Sequence, residues 1–464
     1  MSTREAQAPS PAIESVNDLA GWIAAGEKPA AKWRIGTEHE KFVFQTGTLA
    51  PVPYAGPSGI RALMEALIAR YGWEPVLEGD NLIALRRPKS ENPRGIGGSI
   101  SLEPGGQFEL SGAPLPNLHA TDAETREHLL QVLAVGETLG IGFLGVGFSP
   151  KWLLADVPHM PKQRYGVMTR YMPQVGAHGL DMMYRTATIQ VNLDFASESD
   201  MVQKLRVSLA LQPIATALFA ASPFTEGRPN GFRSMRSEVW RDTDARRTGM
   251  LPFAFEPGMG YQRYVDYALD VPMYFVYRDG RYIDVAGASF RAFLAGKLPQ
   301  VAGERATIDD WSDHLTTLFP EVRLKRFLEM RGADSGSGAR ITALSAFWTG
   351  LLYDQGALDA AWDLVKDWSA REREDLRNAV PRQGLATPFR STTALDIARR
   401  AVAISRAGLA ARRVIDSKSR DETIYLAPLE RIVATGKTPA DELLALYHGR
   451  WQGRVDPVFE EFAY

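Results

Sequence analysis

Acidic and amide side chains recur at every second position of four short segments of the chain. Because alternate side chains of a β-strand point to one face, each segment predicts a strand with a polar face. These faces carry Glu38 and Glu40, then Glu103, Gln107 and Glu109, then Gln190 and Asn192, and last Glu329 and Arg331. Neighbouring carboxylates repel unless a cation separates them, and oxygen ligands of this kind suit Mg²⁺ or Mn²⁺. A solvent-facing antiparallel sheet is the alternative, but lysine is nearly absent from these faces.

Arginine is the second residue type that points to chemistry, since 41 arginines stand against 12 lysines. The planar guanidinium binds carboxylates and phosphates through two parallel hydrogen bonds, which a lysine ammonium does not do. Six of the arginines fall within residues 223–250, a lysine-free segment that reads as a loop. Biased codon usage is the alternative origin of the ratio.

Composition excludes several classes of protein. The 464 residues include 53 basic and 55 acidic side chains, and a net charge of −2 gives no general reason to expect nucleic-acid or membrane-surface binding. The absence of cysteine excludes disulfides, thiolate zinc sites and cysteine nucleophiles. The apolar stretches 129–148 and 207–224 are too polar to span a membrane, and residues 1–15 show no signal-peptide core. We therefore expect a cytoplasmic protein with no nucleic-acid or membrane partner.

The predicted elements alternate between strands and helices until about residue 335 and are helical thereafter, which predicts an α+β fold. The predicted strands are Arg34–Gln45, Asn81–Arg87, Gly98–Glu103, Gln107–Ser111, Ile141–Phe148, Tyr184–Phe195, Met273–Tyr277 and Arg323–Arg331. The predicted helices before residue 335 are Pro57–Tyr71, Asp122–Leu139, Asp200–Ala221 and Ala288–Ala295. Capping boxes predict helix starts at Thr121, Ser369 and Thr438.

The domain organisation expected from these elements is simple. Residues 1–15 are predicted to be a disordered tail, and residues 16–464 a single catalytic domain. Within it, a sheet-rich core covers about 30–335 and a helical portion about 336–464. The segment Asp334-Ser335-Gly336-Ser337-Gly338 between them predicts an exposed, flexible loop.

Several longer runs are specific enough to be compared with known families. They are Arg-Ile-Gly-Thr-Glu-His-Glu-Lys-Phe (34–42), Ser-Leu-Glu-Pro-Gly-Gly-Gln-Phe-Glu-Leu-Ser-Gly-Ala-Pro (101–114), Met-Pro-Lys-Gln-Arg-Tyr (160–165), Val-Asn-Leu-Asp-Phe (191–195), Ser-Pro-Phe-Thr-Glu-Gly-Arg-Pro-Asn-Gly (222–231), Phe-Leu-Glu-Met-Arg-Gly-Ala-Asp (327–334) and Val-Asp-Pro-Val-Phe-Glu-Glu (455–461). Together they resemble the plant-type glutamate–cysteine ligases over nearly the whole chain.

The resemblance implies a glutamine-synthetase-like carboxylate–amine ligase fold, with a curved, mainly antiparallel sheet, outer helices and an active site on the sheet. It also implies the ATP-dependent joining of the γ-carboxylate of L-glutamate to the amine of L-cysteine through a γ-glutamyl phosphate, the first step of glutathione biosynthesis. The partners implied are glutamate, cysteine and ATP, with Mg²⁺ or Mn²⁺ as the cofactor. A monomer or a homodimer is expected.

The resemblance also implies roles for the residues on the polar faces. Metal ligands are expected at Glu38, Glu40, Glu103, Glu109 and Glu329. Arg331 and Glu40 are the expected catalytic residues, with Arg331 facing the transferring phosphoryl group, and Gln190 and Asn192 are expected near the nucleotide. Substrate carboxylates are assigned to Arg236 first, then to Arg228, Arg233 and Arg185. Pairing of these arginines with nearby acids such as Glu226, Glu238, Asp242 or Asp244 is the alternative.

Three other functions remain open at this point. A glutamate ligase with another amine acceptor is the main alternative, because no simple motif marks a thiol pocket. A non-catalytic relative that binds Mg²⁺ or anions is the second, although decay would be expected to erode the carboxylates first. A metal-dependent hydrolase is the third, and it leaves the arginine-rich loop unexplained.

The chain departs from the plant enzymes in its lack of cysteine. Those enzymes carry cysteines whose disulfides adjust activity, and the aligned positions here are Asp122, Val285, Gln300 and Thr342. A disulfide switch of that kind cannot form in this chain, and a dimerisation linked to it is also in doubt.

We therefore predict that ligase turnover with 2-aminobutyrate, a non-thiol acceptor, is the same after reducing and after mild thiol-selective oxidising pretreatment. The comparison uses enzyme freed of reagent by gel filtration, because the cysteine substrate itself oxidises. The 13 methionines are the reason for choosing a mild oxidant. A reversible difference in turnover would show that a switch other than a disulfide operates.

Overall fold

A computed structural model of the chain describes residues 10–88 and 97–464. Across these residues the largest element is a nine-stranded sheet. Its strands are β1 Ile35–Gln45, β2 Glu74–Glu78, β3 Asn81–Arg86, β4 Ser99–Leu102, β5 Phe108–Ser111, β6 Ile141–Leu144, β7 Thr188–Leu193, β14 Val322–Leu324 and β15 Leu328–Asp334. The order is β14-β15-β7-β1-β5-β4-β3-β2, and β6 pairs with the C-terminal half of β1. Every one of these pairs is antiparallel, so the predicted α+β class with a mainly antiparallel sheet is confirmed.

Shorter strands and the helices surround this sheet. The short strands are β8 Phe224–Thr225, β9 Arg228–Pro229, β10 Thr248–Gly249, β11 Phe275–Arg278, β12 Arg281–Asp284, β13 Phe319–Pro320, β16 Pro388–Phe389 and β17 Thr392–Thr393. The helices are α1 Val16–Ala24, α2 Ile60–Tyr71, α3 Leu118–Leu139, α4 Gln163–Tyr171, α5 Gly179–Arg185, α6 Glu198–Phe219, α7 Met235–Val239, α8 Tyr261–Asp270, α9 Phe290–Leu294, α10 Ile308–Thr316, α11 Gly338–Leu352, α12 Gln355–Val365, α13 Ala370–Gln383, α14 Ala394–Arg412, α15 Ala427–Thr435, α16 Pro439–His448 and α17 Val458–Glu461. Among the described helices, none combines the length and apolarity that crossing a bilayer requires.

Helices cover one face of the sheet and leave the other face to the polar residues. Helix α6 packs on β15, α11 packs on β7 and β1, and α3 packs on β1. Ile189, Val191 and Leu193 of β7 are fully buried on this side. Thr37 and Ser345 join β1 to α11 through a hydroxyl–hydroxyl hydrogen bond of 2.7 Å. The alternation predicted for these strands therefore separates an apolar face, under the helices, from the polar face.

Helix ends follow the predicted capping boxes at two of three positions. Ser369 and Thr438 cap α13 and α16, each with the acidic partner three residues further on. The prediction at Thr121 is wrong, because α3 begins one turn earlier. There Asn117 is the N-cap, and its side chain accepts a hydrogen bond from the Ala120 amide (2.9 Å).

Several predicted bounds also needed correction. The predicted strand Tyr184–Phe195 begins only at Thr188, because its first residues end helix α5. Strand β2 was not predicted, and the arginine-rich segment holds the short helix α7 in addition to loops. The predicted exposed loop at 334–338 is also wrong at its start, because Asp334 and Ser335 are fully buried.

The N-terminal tail is the remaining difference. Residues 1–9 of it lie outside the described residues. Residues 10–15 do not behave as a tail, because Ala12 forms a β-bridge with Thr307 and Ile13 is buried.

Two of the positions aligned with plant cysteines lie in contact, since the Thr342 hydroxyl donates to Asp122 Oδ1 (3.2 Å).

Helices α11 and α14 cross with their backbones in contact. A Cβ added at Gly408 would lie 1.9 Å from the carbonyl oxygen of Gly350, and one added at Gly350 would lie 2.2 Å from the Ser405 oxygen. The Ser405 hydroxyl donates to the Phe347 carbonyl (3.0 Å) across this crossing. The two glycines therefore allow an approach that any larger residue prevents.

We predict that Gly408→Ala lowers the thermal unfolding midpoint, because overpacking of this kind typically costs about 1–3 kcal/mol. Gly21→Ala is the matched control: Gly21 also lies within a helix, and a Cβ there meets nothing within 4 Å. Its midpoint should stay the same or rise, since alanine favours helix over glycine. Equal midpoints for the two variants would contradict the tight crossing.

Candidate active site

The polar face of the sheet brings the predicted acidic residues together. Glu40 of β1 lies directly opposite Glu109 of β5, and Glu38 lies opposite both Ser111 and Gln190. The four glutamates Glu38, Glu40, Glu103 and Glu109 line an open cleft that encloses about 950 Å³, including the space at its mouth. The pairing register of β1 with β5 and β7 thus brings acidic residues from separate segments of the sequence into one cluster.

Burial and mutual repulsion perturb these carboxyl groups. Burial, followed by the charges of Glu103 and Glu109, raises the pKa of Glu40 well above its ordinary value. The pKa of Glu38 is raised by burial and then by Glu329, and that of Glu109 by burial and then by Glu103. Each shift means that the ionised form is disfavoured in the folded protein.

The hydrogen bonds to the cluster come from neutral groups. Glu40 accepts from the Thr188 amide (2.9 Å), Glu109 from the Ser111 hydroxyl (2.6 Å) and Glu38 from the Asn192 side-chain amide (2.8 Å). Within residues 10–88 and 97–464, no ion pair neutralises Glu38, Glu40 or Glu109. No three acidic or histidine side chains of these residues form a ready-made metal-binding group either. Ionised carboxylates in this cluster therefore have no ion-pair partner within the described residues.

Arg331 and Arg236 are on the cationic side of the same cleft. Arg331 donates from Nη1 to Gln190 Oε1 (2.6 Å) and to Glu329. Arg236 is buried and donates from Nη2 to the backbone oxygen of Arg331 (2.8 Å). Its buried Nε has no hydrogen-bond partner in the described chain. Two forked cations thus face the cleft, one of them with an unused donor.

The other predicted arginines lie elsewhere. Arg185 is paired with Asp181 (2.5 Å) and Glu226 (2.7 Å), and Arg233 is paired with Asp441 (2.6 Å). Arg228 is exposed in β9 and does not line the cleft. Arg185 thus pairs with Glu226, one of the acids named as possible partners from the sequence. Arg233 also pairs with an acid, but with one that is distant in sequence.

Glu329 differs from the other predicted metal ligands. It is fully buried, and its carboxylate is bound by Arg323 (2.7 Å), Lys325 (3.1 Å) and Arg331. Although burial acts to raise its pKa, these three cations hold the pKa well below the ordinary value. In this structure Glu329 therefore holds three basic side chains in place, unlike the carboxylates without ion-pair partners. Asn192, next to it in the register, has an Oδ1 atom with no hydrogen-bond partner in the described chain.

Several residues of the cleft were given no role from the sequence. Lys162 and Tyr165 both donate to the Leu102 carbonyl (2.8 and 2.7 Å), and burial lowers the pKa of Lys162 to about 8. Both belong to the run Met-Pro-Lys-Gln-Arg-Tyr, which was a usable signal. Trp240 and Arg323 also line the cleft, and no pattern in the sequence distinguished them.

Comparison with known proteins identifies the family. The sequence model of glutamate–cysteine ligase family 2 matches residues 34–461. The chain belongs to this family. The chloroplastic glutamate–cysteine ligase of Solanum lycopersicum is 56% identical over 447 residues, which cover 96% of this chain and 82% of the relative. The chloroplastic ligase B of Oryza sativa subsp. japonica is 55% identical, over 96% of this chain and 87% of the relative.

A solved structure supports the fold. The glutamate–cysteine ligase of Francisella tularensis, determined in complex with AMP, has a TM-score of 0.54 to this chain. The match covers 94% of this chain and 88% of that one at 12% identity. The family model and the plant relatives confirm the predicted resemblance, and the structural match confirms the predicted fold class.

The expected cytoplasmic location is contradicted by the names of the plant relatives. The plant relatives at 55–57% identity are named chloroplastic enzymes. The polar character of residues 1–15 was therefore an unsound basis for a location.

We predict that Glu109→Gln and Glu38→Gln each lower kcat at saturating Mg²⁺ by about 100-fold or more, because each removes a charge from the acidic cluster. Without added metal, both variants should unfold at a higher temperature than the parent protein at pH 8. Because the pKa of each carboxyl group is raised, its ionisation destabilises the fold as the pH rises above about 4.5. The gain should therefore shrink at pH 5. Glu137→Gln, at an exposed position of α3, is the control. Near-normal turnover in both cluster variants would refute the metal assignment.

Proposed function

We propose that the cleft is the active site of an ATP-dependent ligase that joins the glutamate γ-carboxylate to the amine of cysteine. The observation that carries the proposal is a cleft lined both by a cluster of carboxylates without ion-pair partners among the described residues and by Arg236 and Arg331. ATP and glutamate are both anionic, so their encounter needs cations on both sides of the reacting groups. Family membership supports this reaction over a metal-dependent hydrolase.

The donor set fits a hard divalent cation. Carboxylate oxygens without an ion-pair partner are the ligands that Mg²⁺ and Mn²⁺ prefer. We assign Glu38, Glu40, Glu103 and Glu109 to this role. Glu329, which the sequence also suggested, is instead bound by Arg323, Lys325 and Arg331. The cation would supply charge neutralisation for the phosphate groups of ATP.

The side chains of the protein supply the rest of the chemistry. The γ-phosphoryl group passes from ATP to the glutamate γ-carboxylate, ADP leaves, and the cysteine amine then displaces phosphate with loss of a proton. Arg331, whose guanidinium is held by Gln190 and Glu329, is placed to stabilise charge on the transferring phosphoryl group. Arg236 is placed to bind a glutamate carboxylate through its unused Nε donor. A ligase of similar fold binds AMP, which agrees with a nucleotide in this cleft.

We expect purified protein with ATP, Mg²⁺ and glutamate to release ADP when cysteine is added, with γ-glutamylcysteine as the product. The amine is varied in parallel reactions with 2-aminobutyrate, alanine and glycine, because the acceptor is the least constrained part of the proposal. ADP release that depends on glutamate but is faster with another amine would assign a different acceptor. Absence of glutamate-dependent ADP release with every amine would refute the ligase proposal.

The two arginines should separate kinetically. Arg331→Lys keeps the charge but loses the fork, so it should lower kcat more than it raises the KM for glutamate. Arg236→Lys should mainly raise the KM for glutamate, by roughly tenfold for one charged hydrogen bond. The opposite pattern would mean that the phosphoryl and substrate roles are exchanged.

A further inference from the structure

One buried carboxylate, Asp334, holds the junction between β15 and the arginine-rich segment. Its side chain is fully buried. Oδ2 accepts from the Ala221 amide (2.8 Å) and the Ser222 hydroxyl (2.6 Å), and Oδ1 accepts from the Ser234 hydroxyl (2.7 Å). No ion pair of the described residues includes Asp334. Its charge is therefore met by two hydroxyls and one amide.

Both hydroxyls also bind the first turn of α7, the helix that carries Arg236. Ser234 is the N-cap of α7, and its Oγ accepts from the Ser237 amide (3.1 Å). Ser222 Oγ accepts from the Arg236 amide (3.3 Å). A hydroxyl has one proton to donate. Because Asp334 receives that proton from each serine, the lone pairs of both oxygens are left to face the amides of α7.

The same arginine is tied to the same strand at its other end. Arg236 donates from Nη2 to the backbone oxygen of Arg331, and Arg331 and Asp334 both belong to β15. The close packing around Asp334 depends on Gly147, where an added Cβ would lie 2.2 Å from the Asp334 Cγ. The backbone and the guanidinium of Arg236 are thus fixed relative to one strand of the active-site sheet.

We infer that Asp334 is a positioning residue for substrate binding: through Ser222 and Ser234 it fixes α7, and through α7 the guanidinium of Arg236 in the cleft. The inference rests on the proposed role of Arg236 in binding glutamate. Asp334 itself contacts no substrate, because it is buried and does not line the cleft.

Asp334→Asn tests this positioning with little change in shape. The amide replaces one acceptor by a donor, so one serine hydroxyl loses its acceptor and the cap of α7 loosens. Substitution also removes a negative charge near Arg236. A purely electrostatic effect would therefore strengthen glutamate binding, whereas loss of positioning weakens it. The two explanations predict opposite signs.

Glutamate affinity is measured by calorimetry on the full chain with Mg²⁺ and a non-hydrolysable ATP analogue, and KM and kcat are measured in parallel. We expect Asp334→Asn to weaken glutamate binding roughly three- to tenfold, the usual effect of one lost hydrogen bond, with a smaller change in kcat. In an Arg236→Lys background, Asp334→Asn should add little to the loss already present. A general structural defect would instead multiply with the Arg236→Lys effect.

Ser234→Ala provides a second test in case the Asp334 variant does not fold, because it removes one hydroxyl and leaves the carboxylate in place. Ser369→Ala is its matched control, since Ser369 caps α13 and does not line the cleft. We expect Ser234→Ala to weaken glutamate binding and Ser369→Ala to leave it unchanged, with similar losses of thermal stability.

The outcomes separate this inference from the proposed function. Unchanged or stronger glutamate binding in both Asp334→Asn and Ser234→Ala overturns the inference, as does full multiplicativity with Arg236→Lys. If the single variant Arg236→Lys binds glutamate with unaltered affinity, the inference is overturned as well. Coupled losses of glutamate affinity in a protein that releases no glutamate-dependent ADP with any amine would sustain the positioning role and refute the ligase proposal.

Discussion

Repulsion between Glu40 and Glu109 is an energetic cost that the packing of the sheet and its helices has to offset. Antiparallel pairing of β1 with β5 places the two residues directly opposite each other, and like charges at such positions destabilise a sheet. Burial adds the cost of removing carboxylates from water, which the raised pKa values express. A fold that holds this pair in place must be stabilised by packing elsewhere.

The helical side of the sheet provides that packing. Nearly the whole of α11 and the C-terminal part of α6 are buried, although both helices lie against a sheet whose other face is polar. On the face of β1 that the helices cover, the Lys41 ammonium lies 3.0 Å from the His39 ring nitrogen Nδ1. Burial lowers the pKa of Lys41 to about 7, although the charges of Glu109 and Glu40 act to raise it. The Ser335 hydroxyl donates to the Glu40 carbonyl (2.6 Å). Strand β1, which carries Glu40, is therefore held by hydrogen bonds in addition to the packing of the helices.

The arginines show how tertiary partners divide one residue type among roles. Arg247 is fully buried against Asp244 (2.6 Å) and supports the fold. Arg185 and Arg233 are paired with carboxylates and do not line the cleft. Arg236 alone of these four lines the cleft, and its guanidinium donates to the backbone oxygen of Arg331 rather than to a carboxylate. A cation without an acidic partner remains available for an anionic ligand, which is the physical basis for its proposed role.

The sequence predicts the polar and apolar faces of the strands, because alternation of side chains is a local property of an extended chain. It also located Glu38, Glu40, Glu109, Arg236 and Arg331 as candidate residues, and its longer runs identified the family. The tertiary structure places Glu40 opposite Glu109, and the sequence does not predict this because pairing register depends on strands distant in sequence. The tertiary structure also decided that Glu329 is bound by three cations and that Asp334, predicted to be exposed, is buried. Such outcomes depend on which distant groups arrive beside a side chain, and a local pattern of residue types does not contain that information.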